Sequence, residues 1–244
     1  MRSLSSVELL NVWEIGLTQQ PIQRALTLLA AACLEASAET LASLSIGERD
    51  ARLLTLREWI FGARMVSLAV CSHCNEQLEL NFNTRDLRVA AETRSNVELS
   101  LDIDGYELYF RLPNSLDLVA VTGHKDIAIM EQLLLKRCIL TARHNGEQIT
   151  TDQLPAEVAT YIVERMAQAD PQADIKLALS CPSCTHQWQA IFDIESFFWN
   201  EINAWAQRIL KEVHTLASAY GWRELDILNM SPWRRQVYLN LVGR

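Results

Sequence analysis

The sequence predicts an α+β fold, mainly α-helical, with a zinc-ribbon-like pair of β-hairpins and a small inserted α/β unit. Three observations predict it. Cys-x-x-Cys occurs twice, at Cys71/Cys74 and Cys181/Cys184, each time between two short runs of alternating apolar residues. Helical periodicity fills both ends of the chain. The 106 residues between Cys74 and Cys181 carry a hairpin signal and helical runs of their own.

Taken in order, residues 1–65 read as an N-terminal helical region. Pro21 to Ala36 is rich in Ala and Leu, and Ser45-Ile-Gly-Glu48 has capping-box spacing ahead of Arg49 to Phe61, with Gly62 as the stop. Residues 66–96 read as the first knuckle hairpin: Val66 to Val70 is one strand, Cys71-Ser-His-Cys74 the turn, and Leu78, Leu80 and Phe82 alternate along the other. Residues 97–170 form the inserted unit. There Val97 to Ile103 and Tyr106 to Leu112 alternate about Asp104-Gly105, a strong hairpin turn. Leu116 to Val121, Lys125 to Leu140 and Pro155 to Ala167 then read as helices, with Pro155 in a first turn. Residues 171–193 repeat the knuckle, Ile175 to Ser180 running into Cys181-Pro-Ser-Cys184 and Gln187 to Phe192 out of it.

Residues 194–244 read as a C-terminal helical region. Phe198, Ile202, Trp205, Ile209, Val213, Leu216 and Tyr220 make one continuous stripe, expected to pack on the N-terminal helices. Gly221 ends that helix, and Ser231-Pro232 starts a last one reaching about Val242.

The composition narrows the function classes. With 22 basic and 30 acidic residues the net charge is −8, which disfavours phosphate backbones and anionic membranes as partners. No apolar stretch is long enough to span a bilayer, and no apolar segment follows Arg2, so the expected location is the cytoplasm. In a reducing compartment, clustered cysteine pairs read as metal ligands. Cys33 and Cys138, alone in apolar runs, read as small buried hydrophobes.

Zinc in a structural site takes four soft ligands in a tetrahedron, and a two-residue spacer lets both thiolates of one hairpin tip reach one ion. Cys71, Cys74, Cys181 and Cys184 are therefore the expected ligands of one structural Zn2+. The alternatives are reduced thiols, a redox pair or two disulfides. A redox pair belongs at a helix start in a βαβ setting, whereas these lie between strands. Knuckles favour Gly after the second cysteine, and here Asn75 and Thr185 stand there. His73 and His186, beside the cysteines, read as solvated turn residues rather than substitute ligands.

Four thiolates leave no coordination position for water, so the metal is expected to be structural and the protein no enzyme. No phosphate-binding loop, dinucleotide fingerprint, nucleophile elbow or His-Glu-x-x-His is present in the sequence. Glu212 and His214, two apart on a helix, point to different faces and make no acid–base pair.

One family resemblance emerges from the order of short runs. Asp170-Pro-Gln-Ala-Asp174, Cys181-Pro-Ser-Cys184-Thr-His-Gln-Trp188, Phe192-Asp-Ile194, Phe198-Trp199-Asn-Glu201, Val213-His214, Ala219-Tyr-Gly-Trp222 and Ser231-Pro-Trp-Arg-Arg235 are the pieces. Together the chain resembles the T-even-type bacteriophage baseplate protein family, described as baseplate hub proteins or hub assembly chaperones and found also in prophages and contractile injection systems. The likeness is densest over residues 170–242 and also takes in Ser45 to Gly62, the first knuckle, and Phe110-Arg-Leu-Pro113 through Arg137-Cys138. It implies a structural or chaperone-like part in a contractile-tail baseplate, made in the host cytoplasm, with other baseplate or tail proteins as partners. No nucleic acid, membrane or small-molecule substrate is expected. The competing readings are a zinc-ribbon nucleic-acid-binding regulator and a metal-dependent hydrolase, but the knuckles carry almost no basic residues and no general base is visible.

Trp199, Trp222 and Trp233 fall off the apolar stripe or beyond it, and Arg234 and Arg235 follow Trp233. Trp and Arg are enriched at binding hot spots, so these five are the expected partner-binding residues.

Overall fold

The computed structural model describes residues 1–89 and 98–242. It opens with α1 (Ser6–Gly16) and α2 (Pro21–Ala32), followed by α3 (Ala38–Ala42) and α4 (Ile46–Phe61). Strands β1 (Arg64–Val70) and β2 (Gln77–Asn83) pair antiparallel and lead into α5 (Thr84–Leu87). Next come β3 (Leu99–Ile103), β4 (Tyr106–Phe110), α6 (Ser115–Val121), α7 (Ile127–Cys138), β5 (Ile139–His144), β6 (Glu147–Gln148) and α8 (Ala156–Ala169). The second knuckle pairs β7 (Lys176–Ser180) with β8 (Gln187–Ile191). Helices α9 (Ile194–Tyr220), α10 (Glu224–Leu228) and α11 (Pro232–Val242) follow. The fold class is α+β, as the sequence predicts.

Two units result. Residues 36–193 form a central unit, and residues 1–35 with 194–244 form a helical unit. The N-terminal helical region of the sequence is thus shared: α1 and α2 go with the C-terminal helices, α3 and α4 with the knuckles. Val97, expected at a strand start, lies outside the described residues, as does the boundary expected between 96 and 97.

The helical unit follows from the predicted stripe. Phe198, Ile202, Ala206, Ile209, Val213 and Leu216 of α9 are buried. Leu10 of α1 and Ile227 and Leu228 of α10 join the C-terminal part of that row in one core. Each fully buried large aliphatic or aromatic side chain contributes roughly 1.5–3 kcal/mol. Trp205 only flanks the line, because its neighbour Ala206 takes the inward position, and Tyr220 at the end of the helix is exposed.

In the central unit, Ser45 caps α4 as expected, and Gly62 ends it at φ 86°, a conformation glycine adopts without strain. The backbone N–H of Gly47 donates to buried Asp170 at 2.8 Å, tying the start of α4 to the end of α8. The insert has its own core of Leu99, Leu108, Phe110, Leu112, Ala142, Val158 and Ile162.

Two expectations about the insert change. The helix expected from Lys125 to Leu140 runs only from Ile127 to Cys138; Ile139 and Leu140 open β5, which completes the sheet order β3-β4-β5-β6. Asn145 and Gly146 at φ 52° and 85° turn β5 into β6, the same left-handed pair that Asp104 and Gly105 provide between β3 and β4. Pro155 is the cap before α8 rather than a first-turn residue.

One node pins this insert together. Asp117, wholly buried, caps α6 with Asn114 and accepts from Arg111 at 2.5 and 2.9 Å and from Arg137 at 2.9 Å. Burial, the largest influence, would raise its carboxyl, but Arg111, the Asn114 backbone and Arg137 together outweigh it and hold the group below the usual carboxylate range.

Candidate metal centre

Each knuckle is built by the same backbone bonds. The N–H of the first cysteine donates five residues ahead, Cys71 to Glu76 at 2.8 Å and Cys181 to His186 at 2.9 Å. The N–H after the second cysteine donates back, Asn75 to Cys71 and Thr185 to Cys181, both at 2.9 Å. This loop forces the residue after the second cysteine into the left-handed region: Asn75 has φ 60° and Thr185 φ 59°. Asn tolerates that conformation, while a β-branched Thr is strained in it. The Thr185 hydroxyl donates to the Cys184 carbonyl at 2.7 Å.

The two tips meet. All four sulfurs lie within 4.8 Å of one another, and each short pair takes one sulfur from each hairpin: Cys71 with Cys184 at 3.7 Å, Cys74 with Cys181 at 3.6 Å. A disulfide needs about 2.05 Å. A tetrahedral zinc with Zn–S near 2.3 Å sets its sulfurs about 3.8 Å apart, so these separations fit the edges of such a tetrahedron.

The electrostatics favour a cation at the same point. Four thiols this close cannot ionise together unless a positive charge sits among them. Desolvation raises Cys71, yet the N–H groups of Cys74 and His73 together with the Cys184 and Cys74 thiols outweigh it and bring that thiol to about 7. The N–H of Glu76 lowers Cys74, but the hydrogen bond shared with Cys184 and desolvation push it up to about 12.

Aromatic rings tie the hairpins at both ends. His73 stacks on His186 at 5.6 Å, and Trp188 continues the stack at 5.8 Å. Ser72 Oγ lies 3.3 Å from His186 Nε2. At the far end Phe82 meets Phe192 edge to face at 5.8 Å. Cys33 and Cys138 are buried, as expected of small hydrophobes.

The five expected partner-binding residues, all in the helical unit, divide. Trp199 is only 9% exposed: its ring lies under the Arg24 guanidinium at 4.5 Å and close against Gly16. Arg235 is 4% exposed, pairing with Glu212 at 3.1 Å and donating to the Met230 carbonyl at 2.7 Å. Both are therefore corrected from surface to interior residues. Glu212, the partner that fixes Arg235, is the residue sequence reading missed; its place one helical turn before Leu216 puts it beside the stripe. Trp222 is half-buried, stacked on Tyr220 at 4.5 Å and edge-on to Tyr238 at 4.8 Å. Trp233 and Arg234 are exposed.

Fold and site together define a class: a largely helical protein in which two hairpins bring four thiols into a closed, metal-competent cluster. The family model of the T4 bacteriophage base plate protein matches residues 7–199, about four-fifths of the chain. The chain belongs to that family. The match takes in the first helices and both knuckles but ends at residue 199, before most of the 170–242 stretch in which the sequence likeness is densest. No curated protein and no solved structure matches the chain. Among the described residues no helix is long and apolar enough to cross a membrane.

Proposed function

We propose that the chain is a structural or assembly component of a contractile-tail baseplate, a hub protein or hub assembly chaperone, stapled by one structural Zn2+. The observation that carries the zinc reading is the meeting of Cys71, Cys74, Cys181 and Cys184 within 4.8 Å in a baseplate-family chain. Those four residues would hold the ion through their sulfurs. Bound there, zinc neutralises thiolate charge and closes the chain between the two knuckles, and four protein ligands leave no position for a substrate or a water nucleophile. The protein therefore acts by binding other baseplate or tail proteins in the host cytoplasm, not by catalysis. Nucleic acid, membrane and small-molecule substrates have no part in this reading.

Complementation tests it. A phage or prophage lacking the gene is supplied with the wild-type chain or with Cys71→Ser/Cys181→Ser, and tails are counted by electron microscopy. The wild type restores complete baseplates and the double variant does not. Normal tails without the gene contradict the assignment. Mass spectrometry of purified tails separates a permanent part, present in particles, from a chaperone, absent from them.

A further inference from the structure

Charge is not shared evenly between the two units. Residues 36–193 hold 14 basic and 22 acidic side chains, which is the whole net charge of −8, whereas residues 1–35 with 194–244 hold eight of each. No acidic residue follows Asp226, so α11 carries only positive charge.

The two faces of α11 differ. Arg235 is buried by its Glu212 pair, and Tyr238 and Leu239 pack on the core that α9 builds. Trp233, Val237 and Leu241, spaced by four, form an outward stripe and are 78%, 39% and 51% exposed. Arg234 stands beside this stripe, exposed, its guanidinium 5.9 Å from the Tyr238 ring.

We propose that Trp233, Val237 and Leu241, with Arg234 at their rim, dock α11 into an apolar groove edged by carboxylates on another protein of the baseplate. The proposal rests on the baseplate reading above and adds the face and the chemistry of its partner. Anchors at i, i+4 and i+8 are how an amphipathic helix lies in a groove. An acid-free helix on an otherwise acidic chain selects a partner of opposite charge. A second copy docked through the same face is the weaker occupant, because its own α11 offers Arg234 no carboxylate to pair with. Trp and Arg are also the residue types that dominate binding energy at such contacts.

The test titrates the full-length chain, zinc-replete, against each purified structural tail protein encoded in the same phage genome. Three variants are compared with wild type: Trp233→Ser/Val237→Ser/Leu241→Ser, Arg234→Glu and Arg234→Lys. Thermal melting and metal content first establish that each is folded; Leu241→Ser alone replaces the triple variant if that one is not. The expected result is one tail protein whose affinity falls roughly tenfold or more with the triple variant. Arg234→Glu weakens it several-fold and removes most of its salt dependence, and Arg234→Lys retains it. Unchanged affinity in the triple variant overturns the docking face but leaves the baseplate reading intact. A concentration-dependent dimer of the wild type that the triple variant abolishes overturns the choice of partner. Binding to no tail protein at all overturns both.

Discussion

The helical unit holds itself together with one long helix: α9 buries Phe198, Ile202, Ala206, Ile209, Val213 and Leu216 along a single line, and α1, α2, α10 and α11 pack beside it. The central unit divides its structure among short pieces. Its knuckles are two-stranded sheets of five to seven residues per strand, and Val66, Leu68 and Val70 of β1 and Ile191 of β8 remain exposed. A two-stranded hairpin is marginal in water by itself. On the zinc reading proposed above, the central unit adds to its own buried core a bond between its hairpins, which the sulfur cluster is placed to supply.

The largest expected effect strikes that contrast directly. Cys181→Ser, or a strong chelator, should cost the central unit roughly 3 kcal/mol or more, because metal binding and folding of such a site are one process. Hydrogen exchange read unit by unit should show the knuckle amides losing protection while α9 keeps its own. If both units lose protection equally, the division into differently held parts is wrong.

A smaller effect should run the other way. A Cβ at Gly16 would stand 2.2 Å from the Trp199 ring, so Gly16→Ala overpacks the helical unit at a cost of roughly 1–3 kcal/mol. Its protection should fall in α1 and α9 while bound metal stays unchanged.

The smallest compares the knuckles with each other. Thr185→Gly relieves a left-handed β-branched residue and should stabilise by about 0.5–1 kcal/mol, whereas Asn75→Gly should change little, since Asn already accepts that backbone. Equal gains at both sites in thermal melting would show that side-chain branching is not what strains Thr185.

The parts legible in the sequence are those with a local code. Cys-x-x-Cys between alternating runs, Asp104-Gly105, the capping serine at 45 and the spacing of the α9 stripe each carry their structure within a few residues. What stayed illegible depends on distant pairing. Ile139 and Leu140 continue an apolar helical pattern and become a strand because β4 offers them a partner, although Asn145-Gly146 was a turn signal within reach. Trp199 and Arg235 read as surplus surface residues until Gly16, Arg24 and Glu212, far off in the chain, enclose them. The meeting of the four cysteines was legible because both halves carry the same code; the unit they belong to was not, since nothing local assigns α1 and α2 to one unit and α4 to the other.

The central claim is the zinc staple, and elemental analysis of the purified full-length protein tests it most directly. The expected result, after zinc-replete expression, is one zinc per chain, retained through gel filtration and lost in Cys71→Ser/Cys181→Ser. A folded wild-type protein holding less than about half an equivalent of any metal would contradict it, since a closed four-thiolate site binds zinc tightly at neutral pH.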